Sequence, residues 1–262
     1  YPPAGSKFGY RLKAEQQGND WVLNGEKCFI ANGGIGKLFF VSARTDFSVP
    51  AREGMTVFLV PGDTPGFRFG KRFNKAGWRF YQNAELIFEN ARIPHANIVG
   101  EVNGGWKART SDPSQFNDLE LAANAVGVCD TSVENATAYA KTQHKGGHTL
   151  ADQQRVQLKL AEMHMLTESL RAYIMRTAWE RDLAGAGDKV QAASANAGLV
   201  MVFSQEIIQR VTALGRAIYA IGGAERGMMN ASADKLERDA FIWTHLAGDS
   251  LSRIKPIKKM LR

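Results

Sequence analysis

The feature that most constrains this chain is a change of hydrophobic period near Gly104-Gly105. Side chains alternate across a strand every second residue but return to one helix face every about 3.6 residues. Before the glycine pair, short apolar runs are separated by turn residues. After it, apolar residues recur at i, i+3 and i+4. One kind of regular element cannot satisfy both halves, so the sequence predicts an α+β chain with two domains. The boundaries are 1–105 for a β domain and 106–262 for a helical one.

The first half carries strand candidates at Gly9 to Ala14, Trp21 to Leu23, Glu26 to Ile30, Leu38 to Arg44, Met55 to Val60, Phe67 to Phe69 and Ala84 to Phe88. Gln17-Gly18-Asn19, Pro61-Gly62-Asp63 and Thr64-Pro65-Gly66 punctuate them. Asn24-Gly25 is a dipeptide suited to a type I′ turn, so Trp21 to Ile30 reads as a hairpin, ended by Asn32-Gly33-Gly34. Short strands at such spacing predict a small barrel or sandwich. In the second half, Val156, Leu160, Met163, Leu166, Leu170 and Ile174 mark a helix over Leu150 to Leu183. Val190, Ala197, Val200, Ile207, Val211, Leu214 and Ile218 mark another over Asp188 to Ile221. Further helices are expected over Asp112 to Lys145 and Ala231 to Trp243, with Gly146-Gly147, Gly185-Ala186-Gly187 and Gly222-Gly223 as stops. Long helices with short connections predict an antiparallel four-helix-type bundle.

Composition excludes several classes. With 262 residues, 44% hydrophobic and 23% charged, the chain has enough apolar content for sizeable cores. No apolar run approaches the ~20 residues of a membrane helix. Two cysteines, Cys28 and Cys129, cannot build a disulfide scaffold and suit a reducing compartment. The net charge of +7 would suit nucleic acid, a membrane surface or an anionic ligand such as a CoA phosphate. Its Lys and Arg are scattered apart from Lys255 to Lys259, which favours a solvated basic surface. Gly33-Gly34-Ile35-Gly36-Lys37-Leu38 lacks the spacing of a phosphate loop. His144 and His148 are four apart, but Gly146-Gly147 interrupts any helix aligning them on a metal. Tyr1 to Lys7 has no signal-peptide character, and a start at Tyr1 is expected to fall inside a longer protein.

A set of motifs in order along the chain resembles the acyl-CoA dehydrogenase family. Phe29-Ile30-Ala31-Asn32-Gly33 resembles the family's W-I-T-N-G. Lys75-Ala76-Gly77-Trp78-Arg79 and Ala84 to Pro94 resemble K-x-G-W-R and A-E-L-x-F-E-x-V-R-V-P. Ala4-Gly5-Ser6, Ile98 to Glu101, Gly104-Gly105-Trp106, Leu160-Ala161-Glu162-Met163 and Arg238-Asp239-Ala240 extend the match. The family's N-terminal helical domain would precede this region. The resemblance implies α,β-dehydrogenation of an acyl-CoA thioester: a carboxylate takes the α-proton, and the β-hydrogen leaves as hydride to FAD. It also implies electron-transfer flavoprotein as the electron acceptor, a homo- or hetero-oligomer formed through the helical bundle, and a cytoplasmic setting (the mitochondrial matrix in a eukaryote).

Carried over residue by residue, the resemblance places Phe29, Ala31, Asn32, Gln143, Gln154, Gly222, Gly223, Gly248 and Asp249 around FAD, and Ser6 and Asn117 near substrate. Phe29 stands where the family has Trp; an aromatic flavin face and a β-core residue both fit it. Ala31 replaces a hydroxyl residue that points at flavin N5. Gln143 and Gly146 replace the arginine and aromatic of R-x-x-F-G, and Tyr219 replaces a glutamine. Ser6 fits a thioester contact or a turn, and Gly222 a cofactor contact or a helix end. The usual catalytic glutamate position holds Ala247, as in the isovaleryl-CoA dehydrogenase branch, whose base comes from the first bundle helix. That position falls on Asn117, which cannot accept a proton at neutral pH. Asp118, Glu120 and Asp249 are the base candidates, with a base from the absent N-terminal domain as the other route. Alternatives are a non-catalytic partner subunit, a flavin monooxygenase of the same fold and, ranked last, a DNA-binding relative.

Overall fold

The computed structural model describes residues 11–110, 117–184, 188–223 and 231–246. These divide into two compact units, 1–75 with 79–115, and 76–78 with 116–262.

The first unit is built on one seven-stranded sheet. Its strands are β1 (Lys13–Gln17), β2 (Asp20–Ala31), β3 (Leu38–Arg44), β4 (Met55–Pro61), β5 (Phe67–Arg72), β6 (Asn83–Pro94) and β7 (Ile98–Val99). The order is β5-β6-β2-β1-β3-β4-β7. Among the described residues β5 and β7 do not pair with each other, so the sheet is not closed. Leu12, Leu23, Phe58, Leu86 and Ile93 are completely or almost completely buried in the core beneath the sheet. Arg44 is buried too; its guanidinium donates to the Asp46 and Val49 carbonyls and turns the Asp46 to Gly54 loop back on the sheet.

The expected hairpin at Asn24-Gly25 does not exist. β2 runs straight through it and pairs with β6 on both sides, from Trp21↔Ile93 to Ile30↔Ala84. The local turn preference loses to a continuous ladder. The dipeptide marks a register shift instead. Asn90 adopts φ +54, and its backbone N–H donates to Asn24 Oδ1 at 2.8 Å. The two-residue hairpin turn lies earlier, at Gly18-Asn19, between the paired Gln17 and Asp20.

The second unit contains α2 (Asn117–Thr142), α3 (Gln154–Ala184), α4 (Asp188–Gly222), α5 (Ala231–Ala240) and α6 (Ile242–Leu246); α1 (Gly105–Thr110) belongs to the first unit. Ala122, Ala125 and Cys129 of α2, Met163 and Leu170 of α3, and Val200, Ile208, Val211 and Ile218 of α4 are fully or nearly fully buried. Arg171 of α3 donates to both carboxylate oxygens of Asp130 on α2, at 2.7 and 2.9 Å. The pair is partly exposed, so it fixes helix register more than it adds stability. The helix expected over Ala231 to Trp243 is broken at Phe241. Gly146-Gly147 is no helix stop. α2 ends at Thr142, and the glycines form the turn of a small hairpin, β8 (His144–Lys145) and β9 (His148–Thr149), with φ +68 and +86. That is the type I′ signature. Leu150–Asp152 then forms a short 3₁₀ turn closed by a Thr149–Asp152 capping box.

The cysteines differ. Cys129 is fully buried in the helical core, and burial, assisted by Asp130, pushes its thiol up to about 12. Cys28 is partly exposed; its thiol is also raised, first by burial and then by Glu85 and Glu26. Because the thiolate is the reactive form, a thiol reagent at neutral pH is expected to modify Cys28 slowly and Cys129 only after denaturation. Mass analysis of labelled peptides checks this.

Candidate active site

In the first unit the candidates gather at the end of β2. The pairing with β6 slips between Lys27↔Leu86 and Ile30↔Ala84, leaving one extra residue on β2. Phe29 takes up the slip with φ +58, a conformation that L side chains seldom hold. A bulge reverses the alternation, so Phe29 faces out rather than into the core. Its ring is 43% exposed and stacks on Phe73 with centroids 4.6 Å apart. Ala31 pairs with Asn83, and Asn32 (φ +55) opens the turn by accepting the Gly36 N–H at 2.8 Å. The aromatic face, the strand end and the turn therefore form one contiguous edge.

Asn83 and Phe73 are residues that sequence reasoning missed here, and Lys75 entered it only as part of a motif, with no role assigned. Asn83 is a buried polar residue at the start of an apolar strand, which was the available signal.

The second unit collects two further groups. At one end, Leu150 N–H donates to the Gln143 carbonyl at 2.8 Å, closing the segment that separates Gln143 from Gln154 at the start of α3. Lys145 Nζ donates to the Ile221 carbonyl at 2.8 Å, which joins this hairpin to the end of α4. Gln143, Gln154, Gly222 and Gly223 are thus brought together. Lys145 occupies the last turn of α4 as a cationic cap. Gly222 has a structural duty of its own: a Cβ there would stand 2.1 Å from the Tyr139 hydroxyl. Tyr139 donates to the Tyr219 carbonyl at 3.3 Å, and Tyr219 to the Asn135 carbonyl at 3.1 Å.

The other group surrounds the start of α2. Trp78 belongs to this unit, with φ +46; its N–H donates to Asp239 Oδ1 at 2.7 Å. Its ring meets Trp243 edge-on at 5.4 Å, and Trp243 Nε1 donates to the Leu121 carbonyl at 3.2 Å. Asp239 is buried and also holds Lys235. This chain of contacts pins the first turns of α2, where Asn117, Asp118 and Glu120 lie. Asp118 and Glu120 are about 200° apart on the helix. Asp118 is half-buried, one turn from buried Ala122, whereas Glu120 is exposed on the face of exposed Asn124. Ser6, Ala247, Gly248 and Asp249 lie outside the described residues.

Residues 3–91 match the family model described as acyl-CoA dehydrogenase, middle domain, and residues 103–250 match acyl-CoA dehydrogenase, C-terminal domain. The chain belongs to the acyl-CoA dehydrogenase family. It is 31% identical over 242 residues to the Probable acyl-CoA dehydrogenase of Bacillus subtilis, a match covering 91% of this chain and 60% of that protein. It is 32% identical over 252 residues to the mitochondrial isovaleryl-CoA dehydrogenase of Pongo abelii, covering 95% and 57%. The fold superposes on the solved butyryl-CoA dehydrogenase of Megasphaera elsdenii with a TM-score of 0.81 and 26% identity, over 99% of this chain and 66% of that one. The chain therefore spans about three fifths of the length of the curated relatives. Among the described residues, no helix is long and apolar enough to cross a membrane.

Proposed function

We propose that this acyl-CoA dehydrogenase family member supplies the middle and C-terminal regions of a FAD enzyme that dehydrogenates an acyl-CoA at the α and β carbons. The observation that carries this reading is Phe29. A phenyl ring turned outward by a bulge, over an ordered strand end and turn, suits a flat isoalloxazine. Phe40 of β3 is exposed as well, but it lies in a regularly paired stretch, whereas Phe29 is held out at φ +58 by a bulge at the strand end. Bound there, FAD supplies the hydride acceptor. Phe29 would stack against the ring system, and the Ala31-Asn32 backbone would border it. Ala31 brings no hydroxyl, so any hydrogen bond it offers the flavin comes from the main chain. In the second unit, Gln143, Gln154, Gly222 and Gly223 offer amides and open backbone to the nucleotide half of FAD. No arginine stands among these four, so what they themselves would offer the pyrophosphate is neutral donors.

For the proton, Asp118 is the favoured base of the candidates carried by α2. It is half-buried on the packed side of the helix, and Trp243 and Trp78 fix that turn. Glu120 faces solvent, away from the packed side of the helix. The acyl-CoA thioester, an electron-transfer flavoprotein as acceptor, and a small β domain of barrel or sandwich type with a four-helix-type bundle complete the reading. Anaerobic addition of acyl-CoAs of graded chain length to the full-length protein tests it: flavin absorbance should bleach with at least one chain length, without oxygen.

The outer face of α3 supports assembly with a second copy. Leu158, Met165, Met175, Trp179 and Leu183 are 62–65% exposed. With exposed Ala161 and Ala172 they recur at intervals of three and four, with one step of seven between Met165 and Ala172, the spacing of a helix-packing seam. A stripe this long is unusual on a lone soluble helix. Trp179→Glu is expected to weaken self-association at least about tenfold. Light scattering across a dilution series measures it.

A further inference from the structure

We infer that Asn83 and Lys75 form a positioning clamp that fixes the Phe29 bulge and thereby aims the aromatic face offered to the flavin. Phe29 holds its positive φ against an intrinsic preference for the opposite sign, so the surroundings must over-determine it. Two contacts do so. The ring stacks on Phe73. The carbonyl accepts a hydrogen bond from Asn83 Nδ2 at 3.3 Å. Asn83 is 8% exposed and cannot exchange this partner for bulk water at little cost. Its own Oδ1 accepts from Lys75 Nζ at 2.6 Å. Lys75 also donates to the Tyr81 carbonyl and lies over the Tyr81 ring at 4.7 Å from its centroid.

The chain of contacts is directional. The Lys75 ammonium polarises the Asn83 amide, and a polarised amide is a stronger donor to Phe29. The Asn83 backbone also pairs with Ala31 in the ladder, so one residue holds the bulge through its side chain and the strand end that borders the flavin through its main chain. Without the clamp, Phe29 would relax toward negative φ, and its ring would swing off the site.

The inference rests on the flavin reading above, and the experiment separates the two. In the full-length protein, Lys75→Met and Asn83→Asp are compared with wild type for FAD dissociation constant and for the visible circular dichroism of bound flavin. Asn83→Asp keeps an acceptor for Lys75 and replaces the N–H aimed at the Phe29 carbonyl with a carboxylate oxygen that cannot donate to it. Each variant is expected to weaken FAD binding about tenfold, the loss typical of a charge-supported hydrogen bond. Each should also change the dichroism, and Lys75→Arg should restore both. In a Phe29→Gly background, where glycine accepts φ +58 without help, Asn83→Asp should have no further effect on FAD binding. Unchanged affinity and dichroism in Lys75→Met and Asn83→Asp would overturn the clamp, even if their melting temperatures fall. So would an undiminished Asn83→Asp effect in the Phe29→Gly background. A wild-type protein that takes up no FAD would instead sink the functional reading itself.

Discussion

Replacing Gly77 with alanine is expected to destabilise the helical unit by about 3 kcal/mol, the upper part of the range for forcing atoms into a packed site. An added Cβ would stand 2.3 Å from the Arg238 carbonyl oxygen and 2.6 Å from Asp239 Cα. Both are backbone atoms of α5, so no side-chain rotation relieves the contact. The displaced strap would carry Trp78 with it. That removes the Trp78 N–H from Asp239 and leaves a buried carboxylate short of a donor. It also loosens the Trp78–Trp243 contact that helps fix the start of α2. Thermal unfolding followed by far-UV circular dichroism should show the helical transition lowered by roughly 6–12 °C. Gly146→Ala is the matched control. Gly146 has φ +68 but open space around its missing Cβ, so only the left-handed backbone opposes substitution, at about 1–2 kcal/mol.

The second large effect concerns chemistry. Asp118→Asn keeps the shape of the side chain and removes its capacity to accept a proton. Flavin reduction by a bound acyl-CoA is expected to slow by about 10²- to 10⁴-fold, the usual worth of a positioned base. Substrate affinity should change little, since Asn retains a polar group of the same size. Glu120→Gln, two residues away on the solvent face, should stay within about threefold of wild type. Anaerobic stopped-flow reduction separates the variants, and loss of α-proton exchange would place the defect at the proton step. An undiminished rate in Asp118→Asn would move the base away from the start of α2, with Asp249 the next position to substitute.

Much of this architecture is legible in the sequence because periodicity is a local property. The apolar spacing of Val156 to Ile174 and of Ala197 to Ile218 reports helices whose buried faces are those residues. The strand over Leu38 to Arg44 follows from its alternation of exposed and buried side chains, and that over Met55 to Pro61 from its run of buried apolar ones. What the sequence conceals is non-local. Asn24-Gly25 has the chemistry of a hairpin turn, yet β6 lies along both sides of it and keeps the strand straight. Gly146-Gly147 reads equally as a helix stop and as a hairpin turn, because both uses exploit positive φ. Phe29 shows the strongest case. Alternation along Lys27 to Ile30 permits a core position, and one extra residue in the ladder inverts that phase. The residues that hold the site are distant in sequence. Asn83 lies 54 positions from Phe29, and Asp239 lies 161 positions from Trp78. No window along the chain contains both members of either pair.

Motif resemblance locates Gln143, Gln154 and Gly222 without explaining why they meet. The reason is the Lys145 bond to the end of α4, together with the hairpin that presents it. Lys145 is two residues beyond Gln143, where the family's arginine stands. Its charge serves helix α4 through the Ile221 carbonyl.

The account stands on the claim that this chain holds FAD with Phe29 against the flavin. The most direct measurement is FAD uptake by the purified full-length protein, wild type beside Phe29→Ala, read by flavin absorbance per chain and by flavin circular dichroism. The account predicts about one flavin per wild-type chain, and an affinity loss of roughly tenfold or more with altered dichroism in Phe29→Ala, the cost of a lost aromatic stack and its buried area. A wild-type protein that remains colourless after incubation with FAD, or a Phe29→Ala protein that binds flavin with unchanged affinity and dichroism, would contradict it.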